Sequence, residues 1–457
     1  MAVIHDILRL PRQTHSIDTD PLNDGSAIIG GRQRRCQGLG GCVILHGAMA
    51  VAISLPRLRS HIETLSRFGR NPDGRGITRS CWSPAHEEAR AWLLARMKEA
   101  GLITRVDQAG NTFGRLGGDG PAVMTGSHID TVPEGGPLDG ALGVLAGLEC
   151  LHAIHEARIT TRRPLMVAAW SDEEGRYASL FGSRAFTGKL DSKHVPGFHA
   201  ADGERLVDAM ARAGFDARLA TRAKCDPKSI AAYVELHIEQ GPHLEAARIP
   251  IGAVLGIVGI RRQRLTFVGE PDHAGTTPMA WRKDAFLGAA EYALKAREHI
   301  VKKGSGRSVT NFGRIELHPG VSNIVPARAV LLQEMRELDA RILARLHREG
   351  LSLARVIAKR RGLRLEVEPL STSEPARCAP RVLAAVERAA ASLKLPTKRM
   401  PSGAGHDAQN LATVTDAGMI FIPSRGGKSH RPDEMSDWKA IERGGNVLLR
   451  TLLDLAS

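Results

Sequence analysis

Four short apolar runs, each followed by polar residues, recur along the chain. They cover 122–125 before Gly126-Ser127-His128, 165–170 before Ser171-Asp172-Glu173-Glu174, 233–236 before His237, and 419–422 before a loop that reaches His430. Runs of this length between helical stretches are typical of buried strands in an α/β sheet. Ligands of such sheets bind beyond the carboxyl ends of the strands. We therefore expect at least three of the four polar sets to gather at one edge of a mixed sheet flanked by helices.

The pattern changes between about residues 249 and 370. Strands are predicted at 256–268, 309–316, 324–335 and 363–367, with helices at 284–303 and 339–361. This βαββαβ order is that of the split ferredoxin-like unit. We therefore predict an inserted domain at 249–370, within a catalytic domain formed by 57–248 and 371–457.

Residues 1–56 have no clean hydrophobic period. A basic stretch at 32–35 precedes a moderately apolar one at 42–55, but both lie too far behind polar sequence for a signal peptide. We expect a disordered extension, or a start assigned upstream of the true one, with Met49 as the candidate start.

Composition excludes several classes of protein. The chain has 457 residues, 42% hydrophobic and 25% charged, which are globular proportions and favour two domains. The formal net charge of +14 comes from scattered basic residues without interleaved aromatics, so we expect no nucleic-acid partner. The six cysteines form no CxxC, which fits a reducing, cytoplasmic location. No apolar run is long enough for a membrane span.

The polar sets suggest chemistry only when they are taken together. Alone, Asp139 is an ordinary helix N-cap, the Glu173-Glu174 pair is solvent-exposed, and a lone histidine such as His237 is structural. Combined with His128 and His430, they bring imidazoles and carboxylates to one edge without cysteine, a ligand set for Zn²⁺ or Mn²⁺. Five ligands, one of them able to bridge, indicate two metals, and a spare carboxylate can serve as the base for a metal-activated water.

From about residue 58 to the C-terminus, the chain resembles the hydantoinase/carbamoylase family of dinuclear metal-dependent amidohydrolases. The family includes allantoate amidohydrolase, N-carbamoyl-L-amino-acid hydrolase and β-ureidopropionase, and is related to metal-dependent aminoacylases and carboxypeptidases. The motifs that carry the resemblance are 126–131 (GSHIDT) with Asp139-Gly140, 172–175 (DEEG), 237–242 (HIEQGP), 273–279 (HAGTTPM), 402–408 (SGAGHDA) and Ser429-His430.

The resemblance implies a zinc-exopeptidase-like catalytic domain, an inserted dimerisation or lid domain, and a homodimer. Two divalent ions (Zn, Mn, Co or Ni) would be held by five ligands, His128 and His237 on one ion, Glu174 and His430 on the other, and Asp139 between them. Glu173 would be the general base, and Asp130 would orient His128.

The resemblance also assigns the substrate contacts. His273 would reach the substrate of the neighbouring subunit, and Asn323 and Arg336 would clamp the substrate carboxylate. Gln240 and the loop Gly403, Ala404 and Gly405 would touch the substrate, while His406 would be structural or a polar neighbour of the ligands.

Cleavage of the ureido C–N bond of a small anionic substrate is the expected activity. Allantoate, N-carbamoyl-α-amino acids and N-carbamoyl-β-alanine all remain open, as does the native metal. One alternative is a dipeptidase or N-acyl-amino-acid hydrolase on the same scaffold. Another is a non-catalytic ligand-binding or nucleic-acid-binding descendant, which predicts lost ligands.

Overall fold

A computed structural model describes residues 51–457 of the chain. The strands are β1 (Ile103–Val106), β2 (Thr112–Leu116), β3 (Ala122–His128), β4 (Leu165–Trp170), β5 (Ile230–Ile238), β6 (Ile251–Ile257), β7 (Gly259–Val268), β8 (Val309–His318), β9 (Arg328–Glu337), β10 (Arg364–Ser373), β11 (Ala376–Arg377), β12 (Thr397–Ser402) and β13 (Ala417–Ile422). The α-helices are α1 (Leu55–Leu65), α2 (Pro84–Glu99), α3 (Ala141–Glu156), α4 (Phe181–Phe186), α5 (Leu206–Arg212), α6 (His243–Ala247), α7 (Ala285–Lys303), α8 (Ala340–Arg360), α9 (Pro380–Ser392), α10 (Asp407–Leu411) and α11 (Trp438–Ala456).

Nine strands form the larger, mixed sheet. Its order is β1-β2-β4-β3-β5-β13-β6-β11, with β12 paired to β6. The four apolar runs of the sequence are β3, β4, β5 and β13, which are neighbours and run parallel. Because the strands are parallel, their carboxyl ends meet at one edge of the sheet. The mixed α/β fold class is confirmed.

Long helices cover one face of this sheet. The apolar helix α3 lies against β3, β4 and β5, and α11 lies against β3, β5 and β13. Helices α1 and α9 complete the layer by packing on α3 and α11. The main hydrophobic core lies between these helices and the sheet, so the parallel strands are fixed on a rigid support.

A second sheet of four antiparallel strands has the order β10-β7-β9-β8. Helices α7 and α8 pack against each other and against this sheet, around a core that includes Phe267, Tyr292 and Leu331. Asp284 and Asp339 cap the two helices by accepting hydrogen bonds from backbone N–H groups of the first turn. The element order along the chain is βαββαβ.

Sheet pairing moves the limits expected for this inserted unit. The predicted strand 256–268 is broken at Val258, because 251–257 pairs with β12 and β13 in the larger sheet while 259–268 pairs with β9 and β10. The smaller sheet thus begins at Gly259 and ends at Ser373, not at 249 and 370. The predicted strand 324–335 begins only at Arg328, since Pro326 has no N–H to contribute to a ladder.

The predicted N-terminal extension, 1–56, lies mostly outside the described residues. Its last six residues belong to the body. Ile53 is buried, Ser54 caps α1, and the Ser54 backbone N–H donates to the buried carboxylate of Glu149 at 2.7 Å. A boundary at residue 56 is therefore too late. Within 51–457, no helix combines the length and the apolar character needed to span a bilayer.

Candidate metal centre and active site

The side chains expected to carry the chemistry meet in one cavity of ≈ 880 Å³ at the carboxyl edge of the parallel strands. His128 ends β3 and His237 lies near the end of β5. The carboxylates of Glu173 and Glu174 follow β4, Asp139 precedes α3, and His430 comes from the loop after β13. All six line the cavity.

Asp139 lies at the centre of this group. Its Oδ1 is 3.1 Å from His237 Nε2 and 3.8 Å from His128 Nε2, and its Oδ2 is 3.1 Å from His430 Nε2. His430 Nε2 is in turn 3.6 Å from Glu174 Oε2. Two triads, His128/Asp139/His237 and Asp139/Glu174/His430, each bring their ligand atoms within 4.8 Å of one another. The two triads share Asp139, whose Oδ1 faces the histidines of the first and whose Oδ2 faces His430 of the second.

The donors fit divalent metal ions. Imidazole nitrogens and carboxylate oxygens converge without a thiolate, and the buried Glu174 Oε1 has no hydrogen-bond partner in the described part of the chain. Three carboxylates crowded into a largely buried site also require positive charge to offset their repulsion. Two further triads, His128/Glu173/Glu174 and Glu235/His237/His406, share His128, Glu174 or His237 with the first two.

Burial and like charge shift the titration of these groups. Burial, reinforced by neighbouring Glu174, raises the pKa of Glu173 well above its ordinary range. Burial lowers the pKa of His128 to about 4. Burial would raise that of Asp139, but hydrogen bonds with His237 and His430 hold the pKa of Asp139 well below its usual range. Asp139 is thus held ionised, next to Glu173, which retains a proton more readily.

Strained backbone surrounds the site. Asp172, Gln240 and His430 have φ of 52°, 58° and 56°, a region that non-glycine residues seldom adopt. Gly140 has φ 64°, and a Cβ there would lie 2.3 Å from the His128 ring. The chain therefore needs glycine at this position to bring Asp139 beside His128.

Asp130 contacts His128 mainly through its main chain. The Nδ1 of His128 lies 3.0 Å from the backbone carbonyl of Asp130, and 3.6 Å from its carboxylate. The carboxylate accepts instead from the backbone N–H of Glu174 at 3.2 Å. The main chain of Asp130 thus contacts the imidazole, and its side chain contacts the turn after β4 that contains Glu174.

Sequence reasoning missed Glu434. This buried carboxylate accepts from the backbone N–H groups of Leu138 and Asp139, both at 3.0 Å, and its other oxygen lies 3.0 Å from Ser429 Oγ. Ser429 Oγ is also 3.0 Å from Asp139 Oδ2. Glu434 therefore joins the loop of His430 to the loop of Asp139. The only signal in the sequence is an acid four residues after His430.

Glu235 was missed as well. It is buried under the centre, where it accepts from Ser127 Oγ at 2.7 Å and from the backbone N–H of Ala408 at 3.0 Å. It thereby connects the strand ends of His128 and His237 to the start of α10. The sequence shows that Glu235 alternates with His237 along β5, but it does not show which residues Glu235 contacts.

The residues expected to contact substrate divide into two groups. Gln240, Arg336, Ala404 and Gly405 line the cavity, whereas Gly403 does not and is connected to this group through its carbonyl. Gln240 Nε2 donates to Asp139 Oδ2 at 2.9 Å, while its Oε1 has no partner in the described part of the chain. Arg336, near the end of β9, donates to Glu334 at 2.6 Å and to the Gly403 carbonyl.

His273 and Asn323 form the other group and do not line this cavity. Both are exposed on the inserted unit, next to one another. The N–H of Ala274 donates to the Asn323 carbonyl at 3.0 Å. The Nδ1 of His273 accepts from the backbone N–H groups of Gly275 and Thr276 at 3.1 and 3.2 Å. Asn323 lies five residues before β9, so it does not directly precede the strand as the sequence suggested.

Residues 124–454 match the family described as Peptidase family M20/M25/M40. The chain belongs to this family. Members of the M20 family are metal-dependent hydrolases, which agrees with the donor set around Asp139.

Similar proteins place this M20 chain among the hydantoinase/carbamoylase amidases. It is 38% identical over 405 residues to N-carbamoyl-L-amino acid amidohydrolase of Geobacillus stearothermophilus, covering 88% of this chain and 98% of that one. It is 34% identical over 404 residues to allantoate amidohydrolase of Bacillus subtilis (strain 168), covering 87% and 97%. The crystal structure of an amidase of the hydantoinase/carbamoylase family from Burkholderia multivorans matches with a TM-score of 0.83 at 33% identity, covering 89% and 99%. The resemblance inferred from the motifs is confirmed.

Proposed function

We propose that this chain hydrolyses the ureido C–N bond of a small anionic substrate, such as an N-carbamoyl-L-amino acid or allantoate. For an N-carbamoyl amino acid, water and the ureido group would give ammonia, CO₂ and the free amino group. The observation that carries the proposal is the pair of triads that share Asp139 in the same cavity as Glu173 and Arg336. The names of the similar amidohydrolases support the ureido class of substrate.

Two divalent ions, drawn from Zn, Mn, Co or Ni, would occupy the triads. His128 and His237 would hold one, Glu174 and His430 the other, and Asp139 would bridge them. When bound, such a pair activates water at neutral pH and polarises a carbonyl oxygen.

Glu173 is the proposed general base. Its Oε2 lies 3.5 Å from His128 Nε2, yet Glu173 belongs to neither triad that contains Asp139. A carboxylate next to the ligands, but not needed as one, can accept the proton of the attacking water. It can then deliver that proton to the leaving nitrogen, as positioned acid/base groups do.

Arg336 would orient the substrate. Its planar guanidinium matches a carboxylate in a way that a lysine ammonium does not. In the free protein Glu334 and the Gly403 carbonyl hold two of its nitrogens, so its direction is fixed before binding. Gln240, with the loop at 403–405, would contact the ureido end, since Gln240 Oε1 has no hydrogen-bond partner within residues 51–457.

His273 and Asn323 would act across a dimer interface. Both are exposed and lie outside the cavity of their own chain, so a role in catalysis requires the cavity of a second copy. The homodimer, its inserted dimerisation domain and the cytoplasmic location remain parts of this proposal. Analytical ultracentrifugation of wild type and His273→Ala, with activity measured on both, tests the first of these.

The alternative is a dipeptidase or N-acyl-amino-acid hydrolase, since the same centre can hydrolyse other amides. Ammonia release separates the two. We expect metal-replete protein to release ammonia from N-carbamoyl-L-amino acids, allantoate or N-carbamoyl-β-alanine. Hydrolysis of dipeptides or N-acetyl-amino acids, with no ammonia from any ureido substrate, would support the alternative.

A further inference from the structure

In the described part of the chain, two cations of the active-site cavity have no acidic partner. Arg184, on α4, and Lys189, shortly after it, both line the cavity that contains Glu173. Within 51–457 neither forms an ion pair with a carboxylate. Arg184 Nη1 only approaches the Ser179 carbonyl at 3.4 Å, and Lys189 Nζ donates to the neutral amide of Asn410 at 3.1 Å.

The other cations of the cavity are already compensated. Arg262 and Arg336 share the carboxylate of Glu334, at 2.5 Å and 2.6 Å. Of the carboxylates that line the cavity, three belong to the metal centre and the fourth, Glu374, is 2.5 Å from Arg261. Among the residues of 51–457 that line the cavity, no acid outside the metal centre is therefore left to neutralise Arg184 and Lys189.

Arg184 is also held in place. It is half-buried, and its guanidinium lies over the Phe198 ring, 5.9 Å from the centroid. Ser179, which it approaches, and Leu180 both donate to the backbone carbonyl of Glu173, at 3.2 and 3.0 Å. The guanidinium is thus attached to the same turn that positions the proposed base. A partly buried cation fixed beside a reaction centre, without a counter-charge, is suited to bind an anion.

Lys189 contacts a different element of the cavity wall, helix α10. Asn410, which accepts from its ammonium, lies on α10 directly after the His406 loop and donates to Ser183 Oγ at 2.9 Å. The backbone N–H of Lys189 donates to the Arg184 carbonyl at 2.8 Å, so the two cations belong to one local structure. Lys189 is exposed, which places it at the rim of the cavity.

We propose that Arg184 and Lys189 form a second anion subsite, and that the preferred ureido substrate carries a second negative charge on its side chain. An N-carbamoyl dicarboxylic amino acid has this chemistry. The inference rests on the proposed ureido hydrolysis, in which Arg336 binds the first carboxylate. Arg336 lies on β9 of the smaller sheet, whereas Arg184 lies on α4 and Lys189 shortly after it, so the second subsite is formed by a different part of the chain.

The test compares N-carbamoyl-L-glutamate with N-carbamoyl-L-glutamine, which has nearly the same size and lacks the second charge. Ammonia release by metal-replete wild type should favour the glutamate derivative by about 10–100-fold in kcat/KM, the usual effect of hydrogen bonds to a charged group. Arg184→Gln and Lys189→Gln should each reduce this ratio toward one, and Arg184→Lys should retain part of it. Lys193→Gln, an equal loss of charge at an exposed site outside the cavity, should leave the ratio unchanged.

A binding measurement separates this inference from the proposed function. The Glu173→Gln protein, loaded with metal, should bind the glutamate derivative more tightly in calorimetry, and the added Arg184→Gln change should remove the preference. Equal turnover and equal binding of the two compounds would refute the subsite while leaving ureido hydrolysis intact. Preferential binding of the dianion without ammonia release from any ureido compound would support the subsite and contradict the proposed reaction.

Discussion

Replacing Glu434 should weaken the metal centre although this residue is not among the proposed ligands. Its carboxylate satisfies the backbone N–H groups of Leu138 and Asp139 and lies against Ser429. In Glu434→Ala both N–H donors become buried without a partner. Each unsatisfied donor costs about 1–3 kcal/mol, so the free energy of unfolding of the metal-free protein should fall by roughly 2–6 kcal/mol.

The same change should reduce metal affinity by about 10–100-fold, the usual effect of losing a group that orients a ligand. Asp139 loses the contact that fixes its backbone, and the loop of His430 loses its link through Ser429. Glu434→Gln should lie between wild type and alanine, because its amide oxygen can still accept from the two N–H groups. The change of side-chain charge alone is tested by Asp433→Asn, an exposed neighbour whose carboxylate pairs with Lys428 and Arg431.

Denaturant unfolding of the metal-free variants gives the stability, and competition with a chelator of known affinity gives the metal binding. The alanine variant should be low in both measurements, and Asp433→Asn should match wild type. Wild-type metal affinity in a folded Glu434→Ala protein would refute the argument that this carboxylate positions Asp139.

Three further predictions concern the centre itself. Chelation should abolish activity and added divalent metal should restore it, so full activity of the metal-stripped protein would contradict the proposed centre. Asp139→Ala should lose more bound metal than His430→Ala, because the Asp139 carboxylate serves both triads. Metal analysis of the two variants after dialysis measures this difference. Glu173→Gln should keep its metal and its melting temperature but lose turnover by about 10²–10⁴-fold, whereas near-native kcat would remove it from the mechanism. Arg336→Lys should raise KM for an N-carbamoyl amino acid more than for the corresponding uncharged amide at unchanged metal content, and an equal loss for both compounds would show that Arg336 does not bind the carboxylate.

Local patterns in the sequence determined the sheet that carries the site. The four apolar runs could be recognised because buried parallel strands are apolar on both faces, and each run is followed by its polar residues within a few positions. His128, Glu173, Glu174, His237 and their motifs are local features of this kind. Their convergence followed from one rule, that parallel strands end at the same edge of a sheet.

Only the tertiary structure decided which distant groups meet. Glu434 and Asp139 are 295 positions apart, and nothing in either segment specifies that contact. The break at Val258 depends on which sheet each part of the predicted strand 256–268 joins, since the sequence pattern alone does not choose between two pairing partners. Likewise, that Arg184 forms no ion pair within residues 51–457 depends on where packing places the acids, and not on any local pattern around Arg184. Hydrophobic periodicity and local composition describe segments of a few residues. Hydrogen bonds and ion pairs such as these depend on how the chain packs segments that are hundreds of residues apart.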